Sequence, residues 1–468
     1  MNLINKNVLI VGTGISGVAA ADLLSAEGAK VFLYDANAEL VEAKVRERLK
    51  PETVCEVILG ELEDTYYKRI ELLVLSPGVP TDLPMVERFK DEGVVVWGEI
   101  ELAYQFSRGK LAAITGTNGK TTTTALIGEI MRTYYKNVFV VGNIGIPYTA
   151  MVKEITDDAV TVAEMSSFQL ETVERFRPDV SAVLNITPDH LNRHHTMDNY
   201  IDAKFNITRN QTPKDTCVLN YEDEVLRKKG ESLQCKIIWF SVNRRLERGL
   251  CMEGDTIVFY PGTEGNLSVY TGFAEERVGF YVPIIDVKEL KIIGKHNYEN
   301  AMAAIACAMS LGVPLACIRE ALRSFQAVEH RIEFVAEKNG VRYYNDSKGT
   351  NPDASIQAVR AMDARTILIG GGYDKGSEYD EWIESFDGKI KYLVLMGQTR
   401  EKIAECARKH GFDDIVFVES MEEAVMFSAD NSVPGERVLL SPCCASWGMF
   451  KNYEERGRIF KELVQRLA

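Results

Sequence analysis

Along the chain, short solid apolar runs alternate with longer stretches in which apolar residues recur at helical spacing. The runs begin with "NVLIV" and continue through "KVFLYD", "ELLVLS" and "GVVVWG". A second series follows: "KLAAIT", "NVFVVG", "DAVTVAE", "VSAVLNIT" and "TCVLNY". The third comprises "TILIGGG", "YLVLMG", "DIVFVES" and "RVLLSP". Strands alternating with helices are the signature of α/β layers. The pattern predicts three such blocks, residues 1–98, 99–327 and 328–468. Between Cys235 and Pro283 the pattern changes to short β-like pieces, "KIIWFSV" and "TIVFY". The stretch 240–280 suggests no role of its own. Linkers between blocks are short, so the blocks are expected to pack together or hinge.

With 468 residues the chain is too long for one hydrophobic core. A composition of 46% hydrophobic and 26% charged residues is that of a soluble globular protein. No apolar run approaches a membrane span. "MNLINKNVLIVGTG" runs directly into a strand and lacks the features of a signal peptide, so the expected compartment is the cytoplasm. The nine cysteines are scattered and read as free thiols in a reducing compartment. A net charge of −14 argues against a nucleic-acid-binding surface, but not against small anions held by local lysines and glycine turns.

Two glycine turns carry chemistry. Gly12-x-Gly14-x-x-Gly17 follows the first strand and opens a helix, and Asp35 ends the next strand. The pattern fits a dinucleotide, another nucleoside diphosphate, or a turn needed only for packing, because a helix N-terminus recognises pyrophosphate and not the base beyond it. Ser76 and Gly78, after a later strand of the same block, could join that crevice. In "LAAITGTNGKTTTTALIGEIM" the usual phosphate-loop spacing is not met, since Ile114 stands where the first glycine would be. Gly116, Gly119, Lys120 and Thr121 still meet the physical need: backbone N–H groups for phosphate oxygens, an ammonium, and a hydroxyl for Mg²⁺. Downstream strand ends offer Asn143, Glu164, Ser166, Ser167, Gln169, Asp189, His190 and Arg193. An acidic residue such as Glu164 at a strand end beside the loop suits Mg²⁺, though a capping or solvated carboxylate is an alternative. His190 could equally cap a helix. His194 and His195 lie in a polar stretch and are expected to face solvent.

Here the sequence resembles the Mur ligases, which have the folate polyglutamate ligases as relatives. The residues that carry the resemblance are "GTNGKTT", Glu164, "DH" at 189–190, "YIDAK" ending at Lys204, "GKHNYEN" at 294–300 and "HR" at 330–331. Three C-terminal segments, "DSKGTNPDA", "GGGYDKG" and "LLSPCCASWGMFKNYEERG", resemble the branch that joins D-glutamate to UDP-N-acetylmuramoyl-L-alanine. The resemblance spans essentially the full chain. Two positions depart from the branch: Gly448 stands where an acidic residue is common, and Tyr453 where phenylalanine also occurs.

The resemblance implies an α/β fold of three domains: a Rossmann-like N-terminal domain, a central P-loop ATPase-like domain and a Rossmann-like C-terminal domain. It implies a monomeric cytoplasmic enzyme of peptidoglycan precursor synthesis that uses ATP and two Mg²⁺ ions. The γ-phosphoryl group would pass to the muramoyl-alanine carboxylate, and the D-glutamate amine would attack the acyl phosphate. Two anions must meet in this step, and like unit charges at ~4 Å repel by about 4 kcal/mol at an effective dielectric of ~20. The site therefore needs cations.

By resemblance, ATP is held by Gly116, Thr117, Asn118, Gly119, Lys120, Thr121, Thr122, Asn300, Arg331 and Asp346. Thr121 and Glu164 hold one Mg²⁺, and His190 with a carbamylated Lys204 the other. Without the resemblance, Lys204 reads as an ordinary helix-surface lysine. The UDP substrate falls to Gly14, Ile15, Ser16, Asp35, Ser76, Gly78, Asn143, Ser167 and Gln169. D-Glutamate falls to Lys348, Thr350, Lys375, Ser446 and Tyr453. Lys120, His190, Lys204 and Lys348 are the catalytic set. Three rival readings are an NAD-dependent oxidoreductase, a non-catalytic nucleotide switch and a folate polyglutamate ligase. The first leaves Lys120, Glu164 and "DSKGTN" without a task, the second predicts no amino-acid-dependent phosphate release, and the third lacks the N-terminal glycine block.

Overall fold

The computed structural model describes residues 3–143, 145–262 and 280–467. The chain divides into two compact units. One comprises Met1–Val287 with Glu299–Leu322, and the other Lys288–Tyr298 with Arg323–Ala468.

The first unit holds two sheets. In the N-terminal sheet, β1 (Asn7–Val11), β2 (Lys30–Asp35), β3 (Cys55–Leu59), β4 (Leu72–Leu75) and β5 (Val95–Gly98) run parallel in the order β3-β2-β1-β4-β5. The solid apolar runs have a simple cause: both faces are covered. Val8 and Ile10 pack with Ala20, Ala21 and Leu24 of the helix Ile15–Ala26, while Leu9 and Val11 point to the opposite cluster around Phe32 and Phe89.

The second sheet contains β6 (Lys110–Thr115), β7 (Val138–Gly142), β8 (Val160–Glu164), β9 (Val180–Val183), β10 (Thr216–Asn220), β11 (Lys236–Ser241), β12 (Arg248–Glu253), β13 (Thr256–Pro261) and β14 (Val282–Asp286). Its order is β14-β13-β12-β11-β10-β9-β6-β8-β7, antiparallel only across β12-β13 and β13-β14. The β-like pieces after Cys235 are thus an extension of this sheet. Residues 263–279, part of the stretch that suggested no role, lie outside the described residues.

The second unit carries β15 (Glu333–Lys338), β16 (Val341–Asn345), β17 (Thr366–Gly370), β18 (Ile390–Leu395), β19 (Ile415–Phe417) and β20 (Arg437–Leu440), in the order β15-β16-β20-β17-β18-β19. Only the β15-β16 pair is antiparallel. In each sheet the strand order reverses once, at β1, β6 or β17. Open α/β sheets bind ligands beyond the carboxyl ends of strands at such switch points, and all three lead into glycine-bearing loops.

Candidate functional site

The loop after β1 is shaped by two glycines. A side chain on Gly17 would place its Cβ 1.8 Å from the Gly12 carbonyl oxygen, so the helix can approach the turn only without one. Gly14 precedes the helix Ile15–Ala26 and faces open space, with no side chain capping the first turn. Ser76, at the end of β4, donates to the Gly12 carbonyl at 3.2 Å and ties the switch point together. Asp35 accepts from the Thr13 N–H at 3.0 Å and the Thr13 hydroxyl at 2.8 Å. Burial pushes its carboxyl up, but the N–H groups of Thr13 and Asn37, the Thr13 hydroxyl and Arg48 together hold it below the usual range. A 460 Å³ cavity beside it is lined by Tyr34, Asp35, Gly78, Pro80, Leu83 and Met85. Ile15 is exposed and Ser16 half-buried at the helix start.

The loop after β6 is braced from the strand beside it. Asn185 accepts from the Asn118 N–H at 2.8 Å and returns a bond to the Asn118 carbonyl at 3.1 Å. Thr117 donates to the Thr187 carbonyl and lies 3.0 Å from the Tyr200 hydroxyl. Gly119 sits at φ +84°, where a Cβ would also meet Asn300 Oδ1 at 2.3 Å. Asn300 accepts from the Thr123 hydroxyl at 3.2 Å, so it braces the loop's helix from behind. Lys120 folds back over the loop, its Nζ 2.8 Å from both the Gly116 and Thr117 carbonyls. Thr121 and Thr122 are buried at the start of the helix Lys120–Arg132.

Around this loop stand the metal-ligand candidates. Glu164 ends β8 at 2% exposure. Its Oε1 accepts from Asn143 Nδ2 at 2.8 Å, and its Oε2 has no hydrogen-bond partner. Lys204 is also 2% exposed, with Nζ 2.8 Å from the Gly116 carbonyl and 4.7 Å from the Tyr200 ring centre. Burial, then the nearby Lys120, pushes its pKa well below the usual lysine value. The surface-lysine reading therefore fails. His190 is exposed, in left-handed backbone at φ +52°; it precedes the helix Leu191–His194, but its side chain makes no capping bond there.

His194 corrects an expectation. It does not face solvent but is 5% exposed, with Nε2 2.9 Å from the Ser167 hydroxyl and Nδ1 3.3 Å from Glu171. The polar stretch hides it because the helix is short and packs its last residue inward, against Phe168 and Tyr200. His195 is exposed. Gln169 forms a capping box with Ser166, its side-chain Oε1 accepting from the Ser166 N–H at 2.9 Å. Ser76, Val79, Phe168, Gln169 and Arg193 line one narrow cleft, and Arg193 donates to the Val79 carbonyl at 2.9 Å. The cleft joins the first glycine turn to the second sheet.

In the second unit, three loops leave the carboxyl ends of the adjacent parallel strands β16, β20 and β17. They carry Lys348 and Thr350, Ser446, and Lys375 respectively. Lys348 Nζ lies 5.2 Å from the Tyr453 ring centre, and Lys375 Nζ 5.0 Å from that of Trp447. Tyr373 pairs with Ala445, joining the loops after β17 and β20. Asp346 is buried, accepting from the Ser441 hydroxyl at 2.7 Å and the Ile332 N–H at 3.3 Å. Burial pushes its carboxyl up to about 7, against the pull of Ser441 and Arg331. Arg331 lies between His330 and Ile332, both at positive φ, +65° and +46°. Such backbone is costly for a β-branched residue and marks a segment held by its surroundings.

Comparison with known proteins follows this layout domain by domain. The Mur ligase MurD-like N-terminal domain matches residues 6–98, the Mur ligase middle domain 114–308, and the Mur ligase glutamate ligase domain 330–444. A protein of Lachnoclostridium phytofermentans named UDP-N-acetylmuramoylalanine--D-glutamate ligase is 59% identical over 100% of this chain and 99% of its own. One of the same name from Lachnospira eligens is 52% identical over 100% of both. The chain belongs to the Mur ligase family. Among solved structures, UDP-N-acetylmuramate-alanine ligase MurC of Thermotoga maritima superposes with a TM-score of 0.59 at 19% identity, covering 98% of this chain and 99% of that one. MurF of Acinetobacter baumannii gives 0.59 at 17%, covering 98% and 93%. These two share the fold.

Several residues of this Mur ligase's site escaped sequence reasoning. Asn185 and Thr187 lie in "NITPDH", yet only its Asp and His drew notice. Their bonds to Asn118 and Thr117 cross about 70 residues of chain. Arg456 is buried between the loops that follow β16 and β20, donating to the Ser347 carbonyl at 2.7 Å and the Cys444 carbonyl at 3.1 Å. Burial draws its pKa down to about 10. Gly448, where an acidic residue is common, sits at φ +88° facing open space. Glycine suits that backbone.

Proposed function

We propose that this Mur ligase joins D-glutamate to UDP-N-acetylmuramoyl-L-alanine, with ATP as co-substrate, in cytoplasmic peptidoglycan precursor synthesis. The shared name of full-length relatives at 59% and 52% identity supports the substrate pair. The observation that carries the chemistry is the crowding of Lys120, Lys204 and an unpartnered Glu164 oxygen around one phosphate-type loop. Among the described residues, no helix is long and apolar enough to cross a membrane. We take the enzyme to act as a monomer.

The first glycine turn and the cavity beside Asp35 receive the uridine diphosphate, with Gly14, Ile15 and Ser16 offering helix-start N–H groups. The narrow cleft past Ser76 and Gln169 leads the muramoyl-alanine towards the central loop, where Asn143 and Ser167 flank it. ATP lies on the Gly116–Thr122 loop, which Asn300 supports; the family resemblance adds Arg331 and Asp346 to its ligands. The carboxylate oxygen bonds to the γ-phosphorus as the bond to the β-phosphate bridging oxygen breaks. The D-glutamate nitrogen then bonds to the acyl carbon, phosphate leaves, and the amine proton passes to solvent. Lys120 offsets the charge gathered in the first step. Lys348, Thr350, Lys375, Ser446 and Tyr453 orient D-glutamate, Lys375 meeting its side-chain carboxylate as a point charge.

The donor set fits Mg²⁺. A buried carboxylate oxygen without a partner is costly unless a cation faces it, and Glu164 Oε2 with the Thr121 hydroxyl supplies the oxygen ligands Mg²⁺ prefers. His190 and a carbamylated Lys204 would hold a second ion. The ions supply positive charge that lets a carboxylate approach phosphate. Carbamylation needs a neutral amine, and Lys204's burial beside Lys120 favours that form. The deciding experiment is phosphate release with ATP, UDP-N-acetylmuramoyl-L-alanine and each of several amino acids. Turnover with D-glutamate alone is expected. Equal turnover with L-lysine, meso-diaminopimelate or L-alanine would overturn the assignment.

A further inference from the structure

Away from the ligase residues, one mixed group of donors stands in the second unit. Cys406 and His410 are four residues apart at the end of the helix Arg400–Lys409, so their side chains share a face. Asp380 opens the helix Asp380–Glu384, five residues after Lys375. One ligand atom each from Asp380, Cys406 and His410 lies within 4.8 Å of the others. We propose that Asp380, Cys406 and His410 form a binding site for a thiophilic divalent cation of the zinc class.

The geometry is close to what such an ion needs. Metal–ligand bonds of ~2.0–2.3 Å in a tetrahedron put neighbouring ligand atoms about 3.3–3.6 Å apart. His410 Nε2 lies 2.9 Å from Asp380 Oδ1, so that pair must open slightly for an ion to enter. The other imidazole nitrogen, Nδ1, lies 3.7 Å from Glu384 Oε1. A carboxylate behind the ligating histidine is the usual device that fixes the ring and raises its basicity. Asp380 is exposed and Cys406 half-buried, so solvent has access and water can fill the fourth position.

The donors also choose the ion. Mg²⁺ and Ca²⁺ take oxygen ligands, whereas a thiolate with an imidazole selects zinc, cobalt and their neighbours. This site would therefore be chemically separate from the Mg²⁺ ligands around Lys120. On binding, the Cys406 S–H bond breaks, a sulfur–metal bond forms and the proton passes to solvent. The other mixed cluster, Glu329, His330 and Glu333, is already engaged: Asn345 lies 2.9 Å from His330 Nδ1, and Lys461 bonds Glu329 and Glu333.

Cobalt(II) titration of the full-length protein tests this, because thiolate ligation gives a near-ultraviolet charge-transfer band that oxygen and nitrogen ligands do not. The band should saturate at one cobalt per chain, vanish on adding one equivalent of zinc, and be absent in Cys406→Ser. Glu384→Gln should weaken cobalt binding roughly tenfold to a hundredfold. Mg²⁺-supported ligase turnover of Cys406→Ser should match the wild type, which shows that the variant folds. No band in the wild type, or a band that survives Cys406→Ser, would overturn the site.

Discussion

Lys120 and Lys204 donate to one acceptor: each Nζ lies 2.8 Å from the Gly116 carbonyl oxygen. Two ammonium groups so placed are within about 5.6 Å of each other and repel by about 3 kcal/mol at an effective dielectric of ~20. Lys204 is the more buried of the two, and burial together with the nearby Lys120 holds its pKa well below the usual lysine value. Lys204→Ala is expected to lose most ligase activity. Lys204→Arg should do no better, since it keeps a cation and cannot add CO₂. Acetate or propionate should restore part of the alanine variant's rate and none of the arginine variant's. Near wild-type turnover of Lys204→Ala would refute a metal-ligand role.

Gly119→Ala should damage ATP binding while leaving the fold intact. The new Cβ meets Asn300 Oδ1 at 2.3 Å on backbone at φ +84°. Both effects displace the N–H groups of the loop. The apparent KM for ATP should rise about tenfold or more, equivalent to a loss of ~1.4 kcal/mol. Adding Asn300→Ala should recover only part of this, because the backbone strain remains. Full recovery in the double variant would place the whole effect in the side-chain clash.

Lys375→Ala is expected to raise the apparent KM for D-glutamate with little change in that for ATP. Trp447→Ala should do the same more mildly, because Lys375 Nζ lies 5.0 Å from the Trp447 ring centre. Steady-state kinetics with each substrate varied in turn would separate the two constants. An equal rise in the ATP constant would move Lys375 out of the amino-acid site.

Asp346 gives the pH prediction. Its carboxyl is raised by burial from the ordinary value near 4 to about 7. A raised folded pKa contributes stability that is complete below the unfolded value and is lost as pH rises through the folded one. The wild-type protein should therefore lose stability relative to Asp346→Asn between about pH 4 and pH 7, with no further change above. Urea unfolding midpoints of the two proteins across that range would test this. A wild-type protein that instead gained stability relative to Asp346→Asn as pH rose would mean that Asp346 is ionised against Arg331 and Arg456.

Much of this protein was legible in its sequence because the signals are local. Solid apolar runs such as Val8–Val11 mark strands covered on both faces, and glycines that follow strands mark the turns at Gly12 and Gly119. "YIDAK" and "DSKGTN" carried the family resemblance, which spans contiguous residues. What the tertiary structure decided depends on contacts between distant segments. Without the family resemblance, Lys204 reads as a surface lysine, and His194 reads as a solvated histidine. Both are buried because short helices turn those faces onto the central loop and onto Ser167. Asn185, whose amide braces Asn118, and Arg456, which links Ser347 to Cys444, have no local signature at all. A strand or turn is encoded by neighbouring residues, whereas the burial of a charge, and hence its protonation, is set by whatever the fold packs against it.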